Sequence, residues 1–267
     1  MPSTFLEDRG VVRVAGVEAR SFLQGLVTCD MTPVTPERAA YGALLTPQGK
    51  IIADFIITEF ADGFMLDCPL TLAEDLARRL RLYRLRVELN IDDLSASQGV
   101  AAVWDEVSPS VVDPRDTELG ERIVGERFAL SKQHGVENVA LYEAHRIAIG
   151  IPKGGADFVY GDTFPHEANM DLLQGVDFKK GCYVGQEVVS RVEHRGAARK
   201  RIGHVEFEGL APAPGASIRA GGIEIGVMGS SAWQIGLATL RLDRVEDAKA
   251  RGEEIICEDV RLSVIVA

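Results

Sequence analysis

From Ala197 onward the chain carries almost no helical period. IGHVEFEG, GASIRAGGIEIGVMG, WQIGLATLRLD and EEIICEDVRLSVIVA are strand-like runs punctuated by glycine. Short strands with hardly a helix to cover them must hide their edges against one another, so residues 197–267 are expected to form a small β-barrel or sandwich. Residues 1–196 are then a separate body that mixes strands and helices.

Within that body, RGVVRVAG alternates as a strand, and VEARSFLQGLVT places Ala19, Phe22, Leu23 and Leu26 at helical spacing. AYGALL, IIADFIITEF and FMLDC are separated by TPQGK and ADG, which predicts a three-stranded antiparallel meander. TLAEDLARRLRLYRLR predicts a helix with Thr71 as its N-cap and Leu72, Leu76, Leu80 and Tyr83 on the core face, followed by a strand in VELNIDDL. Residues 98–136 give little signal. Residues 137–149 predict a helix ended by Gly150 and Pro152, and TFPHEANMDLLQG predicts a short helix with Pro165 early and Gly175 as its stop. A further helix is expected from Gly185 to Glu193, with Gly196 beyond its end.

Composition limits the function classes. The 267 residues are 46% hydrophobic and 26% charged, which suits a globular core rather than disorder. No run approaches the roughly 18 apolar residues of a membrane span, and MPSTFLEDRG has neither a signal-peptide nor a transit-peptide pattern, so a cytoplasmic protein is expected, with no membrane partner. A formal charge of −11 opposes nucleic acid unless cations gather on one face. They do gather in sequence: RRLRLYRLR, with Arg78, Arg79, Arg81, Arg84 and Arg86, and the stretch 179–201 hold twelve of the 29 Lys and Arg residues. The first cluster has helical spacing and is read as a solvated face, or as a positive funnel for an anionic tail or an acidic partner, ahead of a nucleic-acid patch; direct nucleic-acid binding is not expected.

Four widely spaced cysteines, Cys29, Cys68, Cys182 and Cys257, form no zinc or iron-sulfur spacing, and no protein-held metal is predicted. Cys182 differs in its context, KKGCYVGQEVV. Lys179 and Lys180 precede it, a helix start follows it, and Gly181 and Gly185 allow close backbone approach. That setting favours a reactive thiol; an inert packed cysteine is the alternative, and is the reading for the other three. Glu187 suits the first turn of the helix.

KGCYVGQE, with VVSRVEHRG after it and FPHEANMDLLQGV before it, closely resembles the signature of the YgfZ-type folate-binding proteins, a family with mitochondrial relatives among iron-sulfur assembly factors and itself similar to the glycine-cleavage T-protein. FLQGLVTCD, LLTPQGKIIADFII, RLYRLRVELNI and HRIAIGIP add weaker matches in the expected order. The family often has Asn where Cys29 stands. The resemblance implies an α+β fold, a ring-like body around a folate-binding channel with a C-terminal all-β barrel. It also implies an accessory role for 4Fe-4S proteins, in some members through tRNA-thiolating enzymes, with A-type iron-sulfur carriers and 4Fe-4S clients as partners of a monomer. The motif residues are Lys180, Gly181, Cys182, Tyr183, Gly185, Gln186 and Glu187, with Cys182 in the catalytic position.

The cofactor so implied is tetrahydrofolate or a one-carbon derivative. A pterin needs an acid for its N–H donors, and the glutamate tail needs a cation. Asp54, Glu167 and Arg146 sit in segments resembling T-protein motifs and are the folate candidates. Each has a bland reading: a solvent-facing Asp54, an Arg146 paired with Glu143, a Glu167 that merely suits a helix start. His166 and His194 read as surface histidines. GIPKGG and AGGIEIG read as turns. Two other functions stay open: a folate-dependent aminomethyl transferase, opposed by the cysteine signature and a chain short for a T-protein, and a tRNA-binding or interaction module.

Overall fold

A computed structural model of the chain describes residues 2–105, 111–194 and 198–265. Gly196 and the expected division between 196 and 197 lie outside the described residues. The body is built on an antiparallel sheet of five strands, β2 (Arg9–Ala15), β3 (Ala40–Leu45), β4 (Ile51–Phe60), β5 (Gly63–Pro69) and β6 (Asn90–Asp93), in the order β3-β4-β5-β2-β6. The meander is present, and β2 and β6 extend it. A second sheet runs β1 (Ser3–Phe5), β7 (Gln98–Val103), β8 (Glu121–Glu126). Its last two strands, and helix α3 (Arg127–His134), arise from the stretch that gives little sequence signal.

Both faces of the large sheet are buried, so its strands read as nearly continuous apolar runs. Phe55 and Ile57 of β4 join Val12, Val14 and Leu66, and are covered by Leu23 of α1 (Ala19–Gln24) and Leu76 and Leu80 of α2 (Ala73–Arg84). The opposite parity carries Asp54 and Ile56. There Tyr41, Leu45 and Ile56 pack against Ile147 of α4 (Val139–Ile149), Val189 of α5 (Gln186–His194), Met170 and Tyr183. Each such fully buried aliphatic side chain contributes about 1.5–3 kcal/mol.

The C-terminal strands close a six-stranded barrel, β10 (Ser217–Ala220), β11 (Ile223–Ala232), β12 (Ile235–Arg241), β9 (Lys200–Phe207), β14 (Val260–Ile265) and β13 (Ile255–Cys257), with β13 returning to β10. The connection from β12 to β13 is a helix, α6 (Leu242–Arg251), which the glycine-rich pattern conceals. Ile202 and Leu237 of the barrel share the core of Ile147 and Tyr183, so barrel and body pack together.

Two local expectations are corrected. Thr71 caps nothing: Leu70–Leu72 is a 3₁₀ turn, α2 starts from Leu72 with no side-chain cap, and Glu74 and Asp75 supply the negative charge its first turn favours. Residues 161–174 are successive turns rather than a helix. Asn169 takes a positive φ of 58°, which stops helical propagation, and its side-chain amide donates to the Ile202 carbonyl at 2.7 Å, fixing the turn to β9.

Candidate functional site

Three distant motif segments meet around Cys182. Thr28, in VTCD, accepts the Ala43 N–H at 2.9 Å and donates its hydroxyl to the Gly175 carbonyl at 2.5 Å; its own carbonyl accepts the Asp177 N–H. The Asp177 carboxylate then accepts the N–H groups of Lys179 and Lys180 at 2.7 and 2.9 Å, which turns the chain sharply. Lys180 does not face outward. Its ammonium donates to the Val27 and Cys29 carbonyls at 2.8 and 2.6 Å and sits 5.3 Å from the centroid of the Tyr183 ring. Burial lowers its pKa, against the pull of Asp30 and Asp177. Tyr183 is a buried anchor whose hydroxyl is pushed up to about 12 by burial, with the Asp177 charge adding to it.

Beyond the cysteine, Gly185 has φ +82°, and a Cβ there would lie 2.6 Å from the Thr46 carbonyl oxygen and 3.2 Å from Gly49 Cα. The TPQGK turn and the start of α5 therefore touch backbone to backbone, and glycine is required at this point. Gln186 reaches back to the Gly181 carbonyl at 3.4 Å. Glu187 is exposed and pairs with Arg191 along the helix at 2.8 Å. Between these anchors Gly181 and Cys182 are exposed. Cys29, Cys68 and Cys257 are buried, and burial pushes the first two up to about 12.

The Asp177–Lys179 turn also forms one wall of a 590 Å³ cleft, whose lining includes Tyr41, Asp113, Asp171 and Phe178. The volume is in the range of a small-molecule site. Asp54 lies behind Tyr41 and is not solvent-facing: it is 4% exposed and accepts hydrogen bonds from Tyr41 at 3.0 Å and from Tyr160. Burial first, and then the Asp54 charge, raise both phenols. Nearby runs a buried chain of charges that sequence reasoning missed. Arg9 donates to Asp67 at 2.6 Å, Arg122 lies 3.5 Å from Asp67 and 3.1 Å from Asp113, and Arg115 grips Asp113 with bonds of 2.9 and 2.7 Å. Burial alone would raise Asp113; Arg115 and Arg122 outweigh it and bring the carboxyl down to about 2. Counting Asp54, three arginines face three aspartates. An aspartate inside the apolar run FMLDC was the available signal.

Arg146 and Glu167 are not brought to this cleft as free groups. Arg146 is 3% exposed and donates to Glu143 at 2.8 Å, the Ile151 carbonyl, Asp157 at 2.9 Å and Ser230 of β11 at 3.0 Å, with a second ion-pair contact to Glu143 at 2.7 Å. Asp157, also missed, accepts the Ser230 N–H and hydroxyl as well. The pair is a buried tie between α4 and the barrel. Glu167 accepts the Phe164 N–H at 2.9 Å, a cap on the turn.

In RRLRLYRLR, Arg78 and Arg79 pair with Asp75, while Arg81 and Arg84 donate to the Ile91 and Leu89 carbonyls. That is a helix face serving its own fold. His194 is exposed, but His166 is 2% exposed, which corrects its reading as a surface residue; it contacts Glu193 at 3.2 Å and packs on Phe178. Ligand atoms of His166, Asp171 and Glu193 come within 4.8 Å of one another, yet Arg201 already holds both oxygens of Asp171 at 2.9 and 2.6 Å.

Residues 7–113 match the GCVT N-terminal domain, and residues 199–267 match the C-terminal β-barrel domain of CAF17. The chain is 34% identical over 238 residues to the mitochondrial iron-sulfur cluster assembly factor IBA57 homolog of Mycosarcoma maydis, covering 79% of this chain and 58% of the fungal one. It is 30% identical to the mitochondrial IBA57 proteins of Mus musculus and Homo sapiens, over 90% of this chain and 78% of each. The fold is shared with the glycine cleavage system aminomethyltransferase T of Bartonella henselae, at a TM-score of 0.78, 17% identity, and coverage of 99% of this chain and 84% of that one. At that identity the likeness shows the fold alone. These matches support the wider group to which the YgfZ-type motif points, and do not single out that branch. They also correct the cytoplasmic expectation: the relatives are named mitochondrial, so a compartment read from the first ten residues does not stand.

Proposed function

The chain belongs to the family of the iron-sulfur cluster assembly factors IBA57, and from that premise we propose that it serves the assembly of iron-sulfur proteins, with Cys182 as the group that meets the cargo. A thiolate there would hold iron or sulfur of a cluster in transit, with A-type carriers and 4Fe-4S enzymes, tRNA-thiolating enzymes among them, as the exchanging partners. One observation carries this reading. Of four cysteines, Cys182 alone is exposed, on a loop whose neighbours are anchored on both sides to segments more than 130 residues away.

The cleft beside that loop supports a second component, binding of tetrahydrofolate or a one-carbon derivative. Phe178 suits one face of a pterin, the buried Tyr41 forms part of the floor, and Arg38 and Lys179 suit the carboxylates of a glutamate tail. Asp54 would act through the Tyr41 hydroxyl that it holds, rather than by direct contact.

Brief alkylation of the native protein with iodoacetamide, read by mass spectrometry, tests the first component. Cys182 is modified first, and the other three follow only on unfolding; equal labelling of a buried cysteine contradicts the assignment. Calorimetric titration with tetrahydrofolate and its methylene and formyl forms tests the second. Binding that weakens on Tyr41→Phe is expected, and no binding by any form withdraws the folate component while leaving the thiol.

A further inference from the structure

The barrel presents a second surface for which its own folding gives no reason. Strands β11 and β12 pair through Ala232 and Ile235, so the hairpin turns through Trp233 and Gln234 alone. Trp233 has φ +54°, the left-handed region that two-residue hairpins reserve for Asn and Gly. Its side chain is also 74% exposed, whereas the other tryptophan, Trp104, is 4% exposed. Packing within the fold does not account for a bulky aromatic that strains the turn and buries little of itself.

Beside it lies a groove of 840 Å³, backed by Phe207, Ile235 and Val260. Glu206 is cross-strand partner to both Ile235 and Ser263, so these three share one face. The groove is acidic: Glu206, Glu208 and Asp259 line it, and none of the three has an ion-pair partner among the described residues. Its one cation, Arg261, is turned to Glu254 at 3.1 Å.

From the strained exposed indole and the unpaired carboxylates together, we infer that this groove docks a basic segment of a partner protein. An arginine of that segment stacks on Trp233, where a cation gains most from an indole face, and its neighbours pair with Glu206, Glu208 and Asp259. The same carboxylates repel nucleic acid and anionic lipid. The surface is independent of Cys182 and of the cleft, and the inference does not rest on their assignment.

The test uses the full chain and a fluorescein-labelled octapeptide of alternating Arg and Ser, followed by anisotropy at several salt concentrations. Trp233→Gly suits the positive φ, so the melting temperature holds or rises, while peptide affinity falls by about ten-fold. Glu206→Gln/Glu208→Gln/Asp259→Asn produces a similar loss. Glu18→Gln/Glu74→Gln/Glu88→Gln, which removes equal charge from the body, changes affinity less than about two-fold. Equal losses in the two triple variants would mean attraction to net charge only and overturn the inference. So would unchanged affinity in Trp233→Gly, or a melting temperature lowered by more than about 5 °C, since the indole would then be holding the barrel.

Discussion

The Cys182 loop and the Arg146 corner both lie in segments whose residues resemble a family motif, and folding treats their side chains in opposite ways. Around Cys182 the neighbours do the anchoring: Lys180 is committed to the Val27 and Cys29 carbonyls, Gly185 to the TPQGK turn, Tyr183 to the core, and the thiol is left in solvent. At Arg146 the chemistry-bearing group is itself the anchor, with four hydrogen bonds and two ion pairs spent between α4, Asp157 and the barrel. A reactive residue in a motif is a site candidate when its own bonding capacity survives folding. The residues beside it reveal which case applies.

The comparison breaks most visibly at Arg146. Arg146→Ala leaves Asp157 charged and buried beside Ser230, and about 3–5 kcal/mol of stability should be lost in chemical denaturation. Arg146→Lys should recover little, because an ammonium cannot replace a five-donor fork. A stable Arg146→Ala protein with weakened folate affinity would return this residue to the ligand. Next in size, the two glycines flanking Cys182 should part company. Gly185→Ala meets a carbonyl at 2.6 Å with φ +82° and should cost about 2 kcal/mol. Gly181→Ala points into open space and should stay within about 0.5 kcal/mol. Equal effects would mean that the loop is not anchored as described.

The buried charges behind the cleft give a third test of similar size. Asp113 falls from the ordinary 3.8 to about 2 in the folded protein, so its charge adds roughly 2 kcal/mol of stability, fully present above about pH 4 and lost as pH falls through about 2. Asp113→Asn should remove that acid-side slope between pH 4 and 2 from the unfolding free energy and lower stability at neutral pH. An unchanged slope would show that Arg115 and Arg122 are not held by this carboxylate. The smallest effect is expected on α2: Arg78→Ala and Arg79→Ala, each losing only a partly exposed pair with Asp75, should cost under about 0.5 kcal/mol and leave the affinities for mono- and polyglutamyl folate alike. A selective loss for the polyglutamyl form would restore the cluster as a ligand funnel.

Where period and punctuation agree, the sequence was legible. The meander, α4 with its left-handed Gly150 and the closed barrel all follow from alternation, helical spacing and glycine placement. The strands β7 and β8 were not, because QGVAAV and ERIVGE carry too few large side chains to show alternation, and turns at 161–174 imitate a helix until Asn169 reverses φ. In the site, Cys182 is exposed, but not for the reason its sequence neighbours suggested, since Lys180 is turned to the Val27 and Cys29 carbonyls and does not stand free beside the thiol. The partners of Asp54, Arg146 and Asp113 could not be read, since Tyr160, Ser230 and Arg122 reach them from other strands and loops. Long-range partners decide whether a charge is free, and one-dimensional spacing does not contain them.

The proposed role of Cys182 requires that the thiol left free by this anchoring do the chemistry. Its most direct measurement is the activity of a 4Fe-4S enzyme in a strain lacking the native protein and supplied with Cys182→Ser. The variant is expected to fold with an unchanged melting temperature, because the side chain is exposed, and to leave enzyme activity unrestored. Full restoration by a stable Cys182→Ser protein would contradict that role.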